Sequence, residues 1–466
     1  MSVQTELQRI IQAKADIVTS IENKGVTVPA GTKIDDLDDY VDQIQQGGGG
    51  DTGEYFYIEN TTQVTSGYSA SFKIADRGNK GSFTIDLEYS TDKTNWQKLS
   101  ISRTSVQSLT PGAYQKIYLR HKGPIRTKYI SGSSLYDAFL VIGANTSNIH
   151  YGGELSSLVT GNNNKINHVA ESEFQYLFFS GYYIWNQSAM KPYVYLNDDF
   201  KLPNCANLNS YKGLFQSTTI NHLPSDLLSN TDLAESCYED MFSNAVMNVS
   251  APALPATTLA KNCYKYMLSS CTNLTTAPAL PATTLAVGCY ESMFSSCWKL
   301  TSIPAILPAT TLYNNCYKSM FNGCKAITTT PTLPATTLAD YCYNNMFSGC
   351  SSLTTAPALP ATTLANSCYQ YMFQGCTHLT TAPILPALQL STACYNLMFD
   401  GCTNINYIKA MFTTDISSST SYTTNWLRNV AATGTFVKNA NATWSRTDAS
   451  GIPSGWTVQT ETPAAA

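Results

Sequence analysis

The chain has 466 residues, room for about three domains, yet only 13% of them are charged, roughly half the usual share of a soluble protein. Its net charge of −4 comes with no concentration of base, which argues against nucleic acid as a main partner. No stretch approaches the roughly 20 apolar residues a membrane span needs. The opening MSVQTELQRII lacks the basic and apolar regions of a signal peptide, so neither membrane insertion nor Sec export is expected.

Residues 1–46 hold four basic and eight acidic residues, which accounts for the whole net charge and marks a separate module. Leu7, Ile10, Ile11, Ile17, Val18 and Ile21 recur at helical spacing. After Gly25 and a connector, Thr32 can cap a second helix carrying Ile34, Leu37, Val41 and Ile44. This helical hairpin would bury little surface alone, so an anchoring or oligomerisation role is expected, for instance as a trimer. A Gly-rich linker spans 47–53. Residues 54–145 read as a β-sandwich: YFYI (55–58) is a short apolar run, and SFTIDLEY (82–89) and QKIYLRH (115–121) alternate apolar and polar residues between turn-rich segments. Lys116, Arg120, Lys122, Arg126 and Lys128 form the main cationic run. It reads either as a solvated strand edge or as an anionic-glycan contact. Residues 146–204 are expected to form a connecting region and an N-terminal solenoid cap.

An internal repeat dominates the rest. CYKYMLSSC (263–271), CYESMFSSC (289–297), CYKSMFNGC (316–324), CYNNMFSGC (342–350), CYQYMFQGC (368–376) and CYNLMFDGC (394–402) begin 26 or 27 residues apart. Copies of LTTAPALPATTLA (274–286) lie between them, and CYEDMFSNA (237–245) and SYKGLFQST (210–218) are fainter units upstream. Cys263, Tyr264, Met267, Leu268 and Cys271 share one face if the nonamer is a short helix. LTTAP (274–278) reads as a short strand. One strand, a turn and one helix per unit predict a solenoid over 205–412 whose units bury apolar surface against their neighbours. A C-terminal cap is expected over 413–466.

The paired cysteines Cys263/Cys271, Cys289/Cys297, Cys316/Cys324, Cys342/Cys350, Cys368/Cys376 and Cys394/Cys402 admit three readings: a reduced packed ladder, a disulfide ladder, or metal sites. Eight helical residues span about 12 Å and packed helices sit about 8–10 Å apart, beyond a disulfide's reach, which favours the reduced structural core. Neither metal nor cofactor is expected. His378 falls at a position that varies between units, and Asp198 and Asp199 lack an identifiable partner, so no catalytic constellation emerges and an enzyme is not expected. The residue pairs between the constant ones differ in every unit. They read as drift on a solvated face, or as a surface displaying Tyr266, Trp298, Tyr341 and Tyr371 as binding aromatics.

The unit CYxxMFxGCxxLTTAPxLPATTLA resembles the BspA-like leucine-rich repeats, over about residues 205–410. The opening 6–44 is similar to the short N-terminal module of phage tail and baseplate proteins. The patterns at 88–123 and 405–458 resemble the β-domain and C-terminal end that flank such repeats in gut Bacteroidales proteins and their phages. The resemblance implies a multidomain α+β chain: helical hairpin, β-sandwich, then an α/β leucine-rich-repeat-like solenoid. It implies surface adhesion, or receptor binding when such a protein is on a virion, and because no signal peptide is evident the expectation is a phage tail fibre or receptor-binding protein, assembled in the host cytoplasm. Such a protein would dock on other tail or baseplate proteins through residues 1–46 and hold a host surface glycan or protein receptor. A bacterial surface adhesin is the alternative, and a polysaccharide-acting enzyme a distant third.

Overall fold

A computed structural model describes residues 55–63, 69–76, 84–102, 106–121, 125–131, 134–144, 148–152, 193–203, 207–418 and 421–462, with isolated positions between them. The predicted helical hairpin lies almost wholly outside the described residues. No helix is an element of the described fold, which corrects the α+β class: the described elements are strands joined by turns, with helical backbone only at isolated residues such as Lys14, Ala15, Val18 and Leu158.

The first strands are β1 (Tyr57–Asn60), β2 (Ala70–Asp76), β3 (Thr84–Ser90), β4 (Gln97–Ser102) and β5 (Gln107–Leu109). They are followed by β6 (Lys116–Arg120), β7 (Arg126–Ser131), β8 (Ser134–Ala144) and β9 (Ile149–Gly152). One antiparallel sheet runs β4-β3-β6-β1-β9. Alternation in β3 buries Ile85 and Leu87 and exposes Thr84 and Asp86, the period of two that a half-buried strand requires. The second sheet places β2 between β5 and β8, then continues through β10 (Tyr193–Tyr195), β11 (Thr219–His222) and β12 (Val246–Met247). β10, β11 and β12 pair in parallel and belong to the first solenoid turns. The sheet therefore runs unbroken from sandwich to solenoid and covers one end of the stack, where open backbone groups would otherwise invite foreign strands.

The solenoid has about ten turns, and the nonamer in each is a ribbon of tight turns, not a helix. Numbering the unit from its first Cys, the residue before it and positions 4 and 8 all have positive φ: Asn262 (54°), Tyr266 (54°) and Ser270 (58°), and likewise Tyr341 (59°), Asn345 (59°) and Gly349 (73°). An α-helix cannot contain a left-handed residue every fourth place. Backbone N–H groups alternate in direction. Lys265, Met267 and Ser269 donate to the carbonyl three residues back, while Tyr264, Tyr266 and Leu268 donate to Cys289, Glu291 and Met293 of the next turn, at 2.9–3.0 Å. Every amide is thereby used, half for the turn and half for the stack. The constant pairs still point inward and the variable pairs outward, because the ribbon repeats every four residues. A helix of 3.6 residues per turn would rotate the third pair roughly 80° away from the first.

Inside, identical side chains stack. Tyr264, Tyr290, Tyr317, Tyr343, Tyr369 and Tyr395 form a column with ring centroids 5.8–6.1 Å apart. Phe294, Phe321, Phe347, Phe373 and Phe399 form another at 5.5–5.8 Å. The Thr-rich segment supplies isolated parallel bridges such as Thr276↔Ser302 and Thr311↔Thr337. β13 (Tyr407–Ala410), β14 (Gly434–Asn439) and β15 (Trp456–Glu461) close the far end as a parallel sheet. Its indoles are anchored by Trp426 Nε1 donating to Gly451 O at 2.9 Å and Trp456 Nε1 to Ala431 O at 2.8 Å.

Candidate binding surface of the solenoid

All twelve paired cysteines are buried with free thiols. The distance argument against bridges does not hold, however. Turns joined by backbone hydrogen bonds stack about 4.8 Å apart, which lies within the Cα range of a disulfide. What separates the thiols is direction. Side chains stacked in register keep their Cβ atoms near that same spacing, wider than the mean of about 3.8 Å that a bridge uses. The second thiol of each pair is also engaged: Cys271 Sγ donates to Phe242 O at 3.1 Å and Cys350 Sγ to Phe321 O at 3.1 Å. Burial pushes the Cys289, Cys297 and Cys342 thiols up to about 12, so the reactive thiolate is suppressed.

The four candidate aromatics do not gather at one place. Tyr266 and Tyr371 share position 4 but lie four turns apart, and both are half-buried with left-handed backbone. Trp298 stands at position 10 and is 55% exposed, with Lys325 Nζ 5.7 Å from its ring. Tyr341 is 42% exposed and precedes the first Cys of its unit. Exposed Tyr313 was not singled out by sequence; it occupies a place that is Ala260, Ala286 or Ala339 in other units.

The variable position 3 is a ladder rather than drift. Lys212, Glu239, Lys265, Glu291 and Lys318 follow one another turn by turn. Lys212 meets Glu239 at 2.9 Å, and Glu291 meets Lys265 at 3.0 Å and Lys318 at 3.3 Å. Asn344, Gln370 and Asn396 continue the column, with Asn344 Nδ2 donating to Gln370 Oε1 at 3.0 Å.

The Thr-rich segments between the nonamers carry no charge of their own. Within 251–391 every Lys, Asp and Glu falls outside the LTTAPALPATTLA segments. Two rows of adjacent hydroxyls lie exposed there, Thr257-Thr258 through Thr362-Thr363 and Thr275-Thr276 through Thr380-Thr381. At one corner of this face a cleft of about 530 Å³ is lined by Met247, Asn248, Val249, Ser250, Asn273, Leu274, Thr275, Thr276 and Lys299.

The other sequence candidates disperse. Asp199 accepts the Tyr57 hydroxyl at 2.8 Å, and burial foremost holds that phenol's pKa high. Asp198 lies 3.6 Å from His222 Nε2 instead, so the two carboxylates face different partners. His378 is exposed beside Ser351 O. The cationic run is divided: Lys116 and Arg120 lie on β6, where Arg120 meets Glu88 at 2.6 Å, whereas Arg126 and Lys128 lie on β7 of the other sheet. Among the described residues no group of His, Cys, Asp and Glu could hold a metal ion, and no helix is long and apolar enough to cross a membrane.

Compared with known proteins, the chain matches no family model, no curated protein and no solved structure.

Proposed function

We propose that the chain is an attachment protein, a phage tail fibre or tail-associated receptor-binding protein that holds the virion to the host surface through its solenoid. One observation carries the binding role. The residues able to do chemistry, Cys, Tyr and Met, are packed inside the stack, while the outside is a long array of hydroxyls and amides with scattered aromatics. Such a surface suits many modest contacts to an extended partner rather than catalysis, which needs converging acid and base groups. The likeness of residues 6–44 to tail-protein N-termini supports the virion location and docking on a tail or baseplate protein. Gold-labelled antibody against the chain should mark the tails of the parent phage, and added free chain should compete with virion adsorption. Label on the envelope of uninfected bacteria instead would replace this reading with a BspA-like adhesin.

A further inference from the structure

The cleft owes its existence to a break in the backbone ladder. β12 pairs back to β11 through Thr219↔Val246 and Ile220↔Met247, whereas the next turn pairs forward through Thr276↔Ser302. Among the described residues no backbone hydrogen bond joins 248–250 to 274–276. The gap leaves buried Met247 and Leu274 as an apolar floor beneath polar walls. Its volume is in the range of small-molecule sites. Lys299 Nζ donates to Asn273 Oδ1 at 3.0 Å, which leaves further ammonium protons available. No carboxylate lines the cleft. Trp298, next to Lys299 in sequence, presents its exposed indole beside a second cation, Lys325.

We propose that this cleft and Trp298 form a binding site for an acidic saccharide, a sugar bearing a carboxylate. This deepens the attachment reading and rests on it. The indole offers a flat apolar face for a pyranose ring. Lys299 supplies charge for the carboxylate in a lining that holds no acidic residue, and Asn273, Thr275 and Thr276 offer hydrogen bonds to ring hydroxyls. A neutral sugar would leave the Lys299 ammonium group without a counter-charge.

The full chain should be titrated calorimetrically with oligogalacturonate and with a neutral oligogalactoside of equal length. The substitutions can be drawn from the repeat itself: Trp298→Thr copies Thr272, and Lys299→Ser copies Ser352, so each variant should fold. The uronate should bind, more weakly as salt rises, because Lys299 is screened. Trp298→Thr should weaken it about thirtyfold. Lys299→Ser should erase the preference for the acidic sugar, with an unchanged thermal transition. Equal binding of both sugars, binding of neither, or wild-type binding by both folded variants would overturn the proposal. A chain that ignores both sugars yet still labels tails and blocks adsorption fails on the ligand and leaves attachment standing. One that binds the uronate but is absent from virions supports the site and removes the virion.

Discussion

The two halves of the position-3 column solve one problem with different chemistry. In a stack of identical turns, like side chains meet like at about 4.8 Å. For Tyr and Phe this is favourable, but for charges it is not. From Lys212 to Lys318 the column alternates sign, whereas from Asn344 to Asn396 it uses amides that donate one way and accept the other. The backbone is the same in both halves, with left-handed residues at Ser292 and Tyr371 alike. Neighbours across turns, rather than neighbours along the chain, therefore decide which residue a position tolerates.

The largest expected effect tests whether the halves share a core. Phe294 and Phe373 are both fully buried and each stacks on the next turn's Phe, at 5.5 and 5.6 Å. Phe294→Ala and Phe373→Ala should each cost about 3–5 kcal/mol, measured by denaturant unfolding. Markedly unequal losses would mean that the halves differ in packing and not only in the polar column.

Next comes the charge itself. Glu291, its side chain 10% exposed, sits between Lys265 and Lys318. Glu291→Lys would set three ammonium groups in a row and should cost about 3 kcal/mol, the lower end for a broken buried pair because the lysines are partly exposed. Gln370→Lys, flanked by Asn344 and Asn396, should cost about 1 kcal/mol. Similar losses would show that the column is not read electrostatically.

Between pH 4 and pH 7 a pH signature is expected from Asp240 in the charged half. Burial, and then Glu239, raises the Asp240 carboxyl from 3.8 to about 6. Between those values the folded protein holds this proton more tightly than the unfolded chain. The contribution of Asp240 to stability is therefore greatest below about pH 4 and declines as pH rises through about 6. Asp240→Asn, which copies Asn345 in the amide half, should remove that slope and stabilise the protein at neutral pH by about 2 kcal/mol, allowing for partial exposure. Urea midpoints from pH 4 to pH 7 that still fall in the variant would assign the slope to another group.

The repeat, its period and its inner and outer positions were legible in the sequence. The ribbon was not, because Cys263, Tyr264, Met267 and Leu268 satisfy a helical face over two turns. Only the strict four-residue period, extended to Cys271, distinguishes the alternatives. Left-handed Tyr266, Tyr371 and Leu397 gave no warning, since such residues rarely adopt positive φ. Mistaking ribbon for helix also set the spacing between units at twice its value. The Lys/Glu alternation looked like drift for a related reason: its partners lie 26 or 27 residues away, not four. Trp298 was visible as an unusual residue in its column. The cleft lined by Lys299 was not, because it arises where two turns fail to pair, which neither segment shows alone.

The smallest effect is the most direct test of the comparison. Lys265, Glu291 and Lys318 occupy consecutive turns, as do Asn344, Gln370 and Asn396. The triple substitution Lys265→Asn, Glu291→Gln and Lys318→Asn thus moves the amide solution onto the charged half in the same order. Ion pairs this near the surface contribute little net stability, and replacing all three members leaves no stranded charge, so stability should change by less than about 1 kcal/mol. What should shrink is the salt dependence: thermal transitions of the native chain should fall slightly on adding salt, as screening weakens the pairs, and those of the triple variant, which keeps Lys212 with Glu239, should fall less. If the triple variant melts far below the native chain, the alternating charges do more than avoid repulsion. They would then be setting the register in which the first turns stack on the sandwich, and the two halves would not be interchangeable.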